Sequence, residues 1–148
     1  QVAFLFNYAG QPWKTQQAVR HIMQTEYLQA PGGLSGNDDA GQMSAWYVFA
    51  VLGFYPVCPG TPYYILSSPS FSEAALHLEN GRTFTLKALH ASEKNIYIQS
   101  VRLNGSPYTK NYLSHEDILR GGTMEFVMGD KPNTVWGSAS ADCPPSVM

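Results

Sequence analysis

Hydrophobic positions fall into two regimes along the chain. In the first, Val2-Ala-Phe-Leu-Phe6 is an apolar opening, Asn7-Tyr-Ala-Gly10 reads as a turn, and a helix is predicted over about 12–29. Pro12 suits the first helical position, where its missing N–H costs least. Ala18, Val19, Ile22, Met23 and Tyr27 recur at the spacing of one buried helical face. Ala30-Pro-Gly-Gly33 ends that helix. A second helix is predicted over about 38–53, from Asp38 through Met43-Ser-Ala-Trp-Tyr-Val-Phe-Ala-Val-Leu52. It is apolar around its whole circumference, the pattern of a helix buried on every side, and Gly53 and Pro56 stop it. The second regime, from Val57 onward, consists of short alternating runs separated by turn signals, the pattern of antiparallel sheet. Ala74–Glu79 and Thr83–Ala88 flank Asn80-Gly81, and Ile96–Leu103 and Tyr108–Leu113 flank Asn104-Gly105. Both Asn-Gly pairs suit a type I′ hairpin turn, which needs positive φ at both central residues. Ser114-His-Glu-Asp-Ile-Leu119 reads as one capped helical turn, and Gly121-Gly122 leads into a strand over Thr123–Met128. The expected layout is α+β: two helices, then a small antiparallel β unit, with no internal repeat.

Charge sharpens this division. Of the 148 residues, 44% are hydrophobic and only 14% charged, against about 25% charged in a typical globular domain. Residues 1–56 carry only Lys14, Arg20, Glu26, Asp38 and Asp39, and every other charge lies in 57–148. The first stretch therefore reads as the interior of something larger. High hydrophobic content and a net charge of -2 exclude intrinsic disorder. The near balance of acid and base leaves no electrostatic footprint for nucleic acid, and no apolar run is long enough for a membrane span. No charged-then-apolar leader opens the chain, and its start at Gln1 is expected to reflect processing or truncation. Cys58 and Cys143 are too few for a disulfide scaffold or a zinc site.

Candidate chemistry concentrates in Gly32-Gly-Leu-Ser-Gly-Asn-Asp-Asp-Ala-Gly41, where glycines bracket Asn37, Asp38 and Asp39 just before the second helix. Two readings stand on the motif alone. Asn and Asp are favoured at helix starts and complement the helix dipole. Equally, a carboxylate held at the mouth of a helical barrel is available as a general base. Other patterns fail: Gly33-Leu-Ser-Gly-Asn37 lacks the last glycine of a nucleophile elbow, and no Lys-Ser/Thr pair makes a phosphate-binding loop. His21, His77, His90 and His115 lack ligand spacing, and His115-Glu116-Asp117 reads as a capped surface turn. Among aromatics able to stack on a sugar, Trp46 and Tyr47 sit in the apolar helix and read as core, which leaves Trp13 as the ligand-facing candidate. Asn104-Gly-Ser106 is a glycosylation sequon by pattern, but the turn already accounts for it.

Asn7-Tyr-Ala-Gly-Gln-Pro-Trp-Lys-Thr-Gln16 and Gly36-Asn-Asp-Asp-Ala-Gly-Gln-Met-Ser-Ala-Trp-Tyr-Val-Phe49 closely resemble glycoside hydrolase family 92, the calcium-dependent exo-acting α-mannosidases. The similarity continues through Leu52–Gly60, Leu78–Gly81, Gln99–Gly105 and Ser114–Leu119, and so spans nearly the whole chain. It implies that residues 1–56 are the last helix pair of an (α/α)6 catalytic barrel and that 57–148 are C-terminal strands. A large N-terminal β-sandwich and most of the barrel would lie upstream. The family inverts configuration: a general acid protonates the leaving oxygen while a general base activates water on the opposite face of the ring. Aligned on the following Gly-Gln, the family's base falls on Asp39, with Asp38 next if the register slips by one. Asn37 stands where some members carry a second acid, a departure that weakens sharing of the water between two carboxylates. The general acid Glu belongs to a motif upstream of Gln1.

The resemblance further implies Ca²⁺ on the mannose hydroxyls with ligands mainly upstream, Asn7 or Asp38 assisting indirectly. Its expected substrates are α-mannoside glycans, such as α-1,2-linked N-glycan mannose. Its expected location is bacterial and secreted, periplasmic or cell-surface. The 148-residue chain alone is expected to be inactive. Two further functions are weighed beside this one: residues 57–148 as a non-catalytic carbohydrate-binding module, or as a structural brace for the barrel.

Overall fold

Pro12 opens the first helix, α1 (Pro12–Thr25), as the sequence predicts. A computed structural model describes residues 1–145. The apolar opening winds into a 3-10 segment, Val2–Asn7, that packs on α1. Helix α1 ends at Thr25, sooner than the periodicity suggests, because Tyr27 leaves it to form an isolated bridge with Leu34. Of the expected apolar face only Val19 and Met23 are buried. The same side buries Thr15, Gln16 and Arg20, and the partners of Gln16 and Arg20 lie far along the chain. The Arg20 guanidinium donates to Ser68 Oγ at 2.9 Å and the Pro69 carbonyl at 2.8 Å, and Gln16 Oε1 accepts from the Ile98 amide at 2.9 Å.

Helix α2 (Gln42–Leu52) follows a short 3-10 turn, Asp39–Gly41, and ends on left-handed Gly53, as predicted. Burial on every side is not realised within residues 1–145. Trp46 and Ala50 are buried, while Val48 remains 57% exposed and Tyr47 half-exposed. The reading of Trp46 as core holds, and that of Tyr47 holds only in part.

The strands form two sheets. One is antiparallel, in the order β1 (Phe54–Tyr55), β2 (Tyr63–Leu66), β7 (Tyr112–Ser114). The other has the order β3 (Glu73–His77), β4 (Thr83–Leu89), β8 (Gly122–Gly129), β5 (Tyr97–Leu103), β6 (Ser106–Pro107). The five-stranded sheet is mixed rather than antiparallel, because β8 inserts between β4 and β5 and runs parallel to β4, with Leu86 opposite Met124 and Ala88 opposite Phe126. Alternation marks which face is buried but not strand direction. Residues 108–113 are not the partner of β5 that the sequence suggests. Ser106–Pro107 pairs there, extended by the Tyr108 amide on the Val101 carbonyl at 2.9 Å, and the chain then crosses to the other sheet as β7.

Asn104 (φ 50) and Gly105 (φ 83) make the predicted turn with two positive φ angles. At Asn80-Gly81 only Gly81 (φ 81) is left-handed. Leu78 and Arg82 close a three-residue loop in which Asn80 Oδ1 accepts from the Arg82 amide. The capped turn at 114–119 is α3 (His115–Leu119), with Ser114 Oγ accepting from the Asp117 amide at 3.1 Å.

Two apolar cores result. Phe84, Leu86, Ile98, Met124 and Phe126 fill one beneath the five-stranded sheet, while Phe4, Val19, Trp46, Tyr55, Ile65 and Tyr112 knit the helices to the smaller sheet.

Candidate active site

The glycine-rich loop is built by backbone geometry before any side chain contributes. The Leu28 amide donates to the Gly33 carbonyl at 2.8 Å, and a Cβ on Gly33 would stand 1.9 Å from the Leu28 carbonyl oxygen. Glycine is therefore required there by close approach. Further on, Ala40 (φ 52, ψ 28) and Gly41 (φ 79, ψ 13) are both left-handed and lead directly into α2. A left-handed alanine is strained, and strain of this kind gathers at functional sites.

The two aspartates of this loop have different fates. Asp38 Oδ1 accepts from the Met43 amide at 2.7 Å and the Ser44 amide at 3.2 Å, and Oδ2 accepts from Ser44 Oγ at 2.6 Å. These amides belong to the first turn of α2, which otherwise lacks internal partners. The Ser44 hydroxyl, opposed by desolvation and assisted by the Ser44 and Met43 amides, holds the Asp38 carboxyl below the usual carboxylate range. Asp39 is exposed, and its carboxylate has no hydrogen-bond or ion-pair partner among the described residues. Asn37 is likewise exposed. The helix-start reading of the loop is thus realised in Asp38, and its neighbour Asp39 is left with an exposed carboxylate.

Beneath the loop, Tyr27 donates its hydroxyl to the Met43 carbonyl at 3.0 Å and stacks on Trp46, with ring centroids 5.5 Å apart and 10° between planes. Trp46 in turn meets buried Phe4 edge-on. The loop therefore stands on packed aromatic rings.

Trp13 is placed elsewhere. It is half-buried at the start of α1 and lines a cavity of about 690 Å³ with Phe6, Lys14, His21, Glu93 and Ile96, among others. No residue of the 36–41 loop lines that cavity. The Lys14 ammonium lies 5.3 Å from the Trp13 ring centroid and 5.9 Å from that of Phe6, a cation–π arrangement that occupies one face of the indole. Residues 1–145 therefore do not bring Trp13 and Asp39 into one cleft. Of the remaining candidates, His115 Nδ1 pairs with the Tyr64 hydroxyl at 3.0 Å on the surface, and Cys58 and Cys143 are free thiols.

A family model described as the glycosyl hydrolase family 92 catalytic domain matches residues 1–130. The chain belongs to glycosyl hydrolase family 92. An uncharacterized secreted glycosidase from Arthroderma benhamiae is 36% identical over 147 residues, covering 97% of this chain and 19% of that protein. A family GH92 α-mannosidase from Bacteroides thetaiotaomicron superposes with a TM-score of 0.93 at 42% identity, covering 99% of this chain and 20% of its own. The same enzyme in complex with mannoimidazole superposes at 0.94, again 42% identical, over 99% of this chain and 19% of its own. A family GH92 inverting mannosidase from the same species superposes at 0.92 with 43% identity, over 98% and 20%. The chain spans about a fifth of the length of these relatives.

Within the family 92 chain, calcium finds no evident seat. Ca²⁺ takes about six to eight hard oxygen ligands, and no three His, Cys, Asp or Glu side chains cluster among the described residues. Asp38 spends its carboxylate on α2. Asn7 is fully buried and its amide nitrogen is spent on the Leu66 and Asn111 carbonyls at 2.9 and 2.7 Å; its Oδ1 is unpartnered, but that is one oxygen where Ca²⁺ takes about six to eight. The residues present do not fit a calcium site by themselves.

Sequence reasoning missed Ser44 and Tyr27 as parts of the loop's support. A capping box places its partners three residues apart, whereas Asp38 and Ser44 are six apart and meet only because Ala40 and Gly41 reverse the chain.

Proposed function

We propose that this chain supplies the general base, Asp39, to an inverting exo-α-mannosidase. The observation that carries the reading is the division of labour between neighbours: Asp38 is saturated by α2, while Asp39 is exposed and unpartnered. A carboxylate free of protein partners can accept a proton from water. In an inverting glycosidase that water attacks the anomeric carbon from the face opposite the leaving group, which a carboxylic acid about 6.5–9.5 Å from the base protonates. That acid, a Glu, is assigned to the part of the parent polypeptide preceding Gln1. Asn37, a carboxamide, does not titrate and so is assigned a hydrogen-bonding role at the same water. Trp13 contributes to substrate binding only where further chain completes its cavity. No step is routed through calcium, whose ligands are assigned outside residues 1–145.

The proposal extends to architecture. Residues 1–56 are read as the last helix pair of an (α/α)6 barrel and 57–148 as the C-terminal strand region of the same enzyme. The rest of the barrel and an N-terminal β-sandwich come from the parent chain. Val2 at 77% exposed and Val48 at 57% support a cover over this helical face, as does the length of the relatives. The substrates are α-linked, particularly α-1,2-linked, mannosides such as N-glycan mannose, and the enzyme is exported. The 148-residue chain by itself is inactive because acid and base are then separated. Proton NMR of the intact parent enzyme hydrolysing an α-mannobioside tests the reaction: β-mannose forms first if the reading is right, and α-mannose forming first overturns it.

A further inference from the structure

Asp38 and Ser44 close a ring that has Asp39 on its rim. The ring runs from the Asp38 carboxylate through Asp39, left-handed Ala40 and Gly41, into the first turn of α2, and back through Ser44 Oγ at 2.6 Å. Gly41, at the capping position of α2, has no side chain to serve that helix end, so the cap comes from Asp38 instead. The ring is fixed from below by the Tyr27 hydroxyl on the Met43 carbonyl. Its cap also ties down the segment in which Ala40 holds a φ of 52° that an L-residue rarely adopts.

We infer that Asp38 and Ser44 are positioning residues, which hold the 38–44 ring closed so that the Asp39 carboxylate is presented to the attacking water. This rests on Asp39 being the base. Neither residue is catalytic in itself: both Asp38 oxygens are filled, and Ser44 faces Asp38. Opening the ring leaves the base chemically intact but free to wander, and a misplacement of about 1 Å can cost on the order of 10²-fold in rate. The loss falls on kcat rather than KM, because the base engages the water and not the groups that bind the sugar.

The experiment uses the intact parent enzyme on an α-mannobioside, with Ser44→Ala, Ser44→Thr, Asp38→Ala and Asp39→Asn in parallel. Ser44→Ala is expected to lower kcat about tenfold or more, with KM within about twofold and little change in melting temperature. Threonine, which keeps the hydroxyl, restores most of the loss. Asp38→Ala falls at least as far as Ser44→Ala, and the serine pair alone suffices if Asp38→Ala does not fold. Wild-type kcat in Ser44→Ala beside a 100-fold loss in Asp39→Asn overturns the positioning role and leaves the base in place. Wild-type kcat in Asp39→Asn overturns the base reading and this inference with it. A loss in Ser44→Ala that tracks a fall in melting temperature and is not rescued by threonine also overturns it.

Discussion

Asn7 and Asn111 exchange amide hydrogen bonds across the junction of the helical and strand-rich parts. Asn7 Nδ2 donates to the Asn111 carbonyl at 2.7 Å, and Asn111 Nδ2 donates to the Asn7 carbonyl at 2.9 Å and to the Gly137 carbonyl at 2.7 Å. Both residues are fully buried. Removing the Asn111 amide strands the buried Gly137 carbonyl, at a cost of roughly 1–3 kcal/mol, and takes one of two donors from the Asn7 carbonyl, which keeps the Gly10 amide at 3.2 Å. Asn111→Ala is therefore expected to destabilise the purified protein by about 1–3 kcal/mol. Thermal or denaturant unfolding checks this, and a loss below about 0.5 kcal/mol, the range of an ordinary surface change, speaks against the joint.

Adjacent glycines should respond in opposite ways. A methyl on Gly33 meets the Leu28 carbonyl oxygen at 1.9 Å, while one on Gly32 meets nothing within 4 Å and no positive φ marks that position. Gly33→Ala is expected to cost more than about 1 kcal/mol, and Gly32→Ala to be neutral or to stabilise by about 0.4–1 kcal/mol through the unfolded chain. Comparing the two melting temperatures checks the loop geometry directly.

The Asp38 cap carries a pH signature. Its carboxyl titrates below the usual value because the Ser44 hydroxyl, with two amides, binds the charged form. A depressed native pKa means the stabilisation is complete above the unfolded value, about 3.9, and is lost as pH falls through the native one. Asp38→Ala should melt below wild type at pH 7, and the gap should close below about pH 4. A gap that persists unchanged at pH 2 contradicts the assignment.

What could be read from the sequence was local. Pro12, Gly53, the Ser114 cap and the Asn104-Gly105 turn each act within a few residues, and each stands where predicted. What could not be read depends on partners far along the chain. The parallel pairing of β4 with β8 joins residues nearly 40 apart. Gln16 is buried because Ile98 needs an acceptor, and Arg20 because Ser68 and Pro69 do the accepting. At the site, the acidic cluster and its helix start were visible. The separation of Asp38 from Asp39 was not, since it turns on the left-handed pair Ala40 and Gly41.

The central claim is that Asp39 activates the water. The most direct measurement is kcat of Asp39→Asn in the intact parent enzyme on an α-mannobioside, with KM determined alongside. The amide keeps the shape of the side chain and cannot take the proton. A fall in kcat of about 10²-fold or more with KM nearly unchanged is predicted. Turnover near wild type would contradict the account.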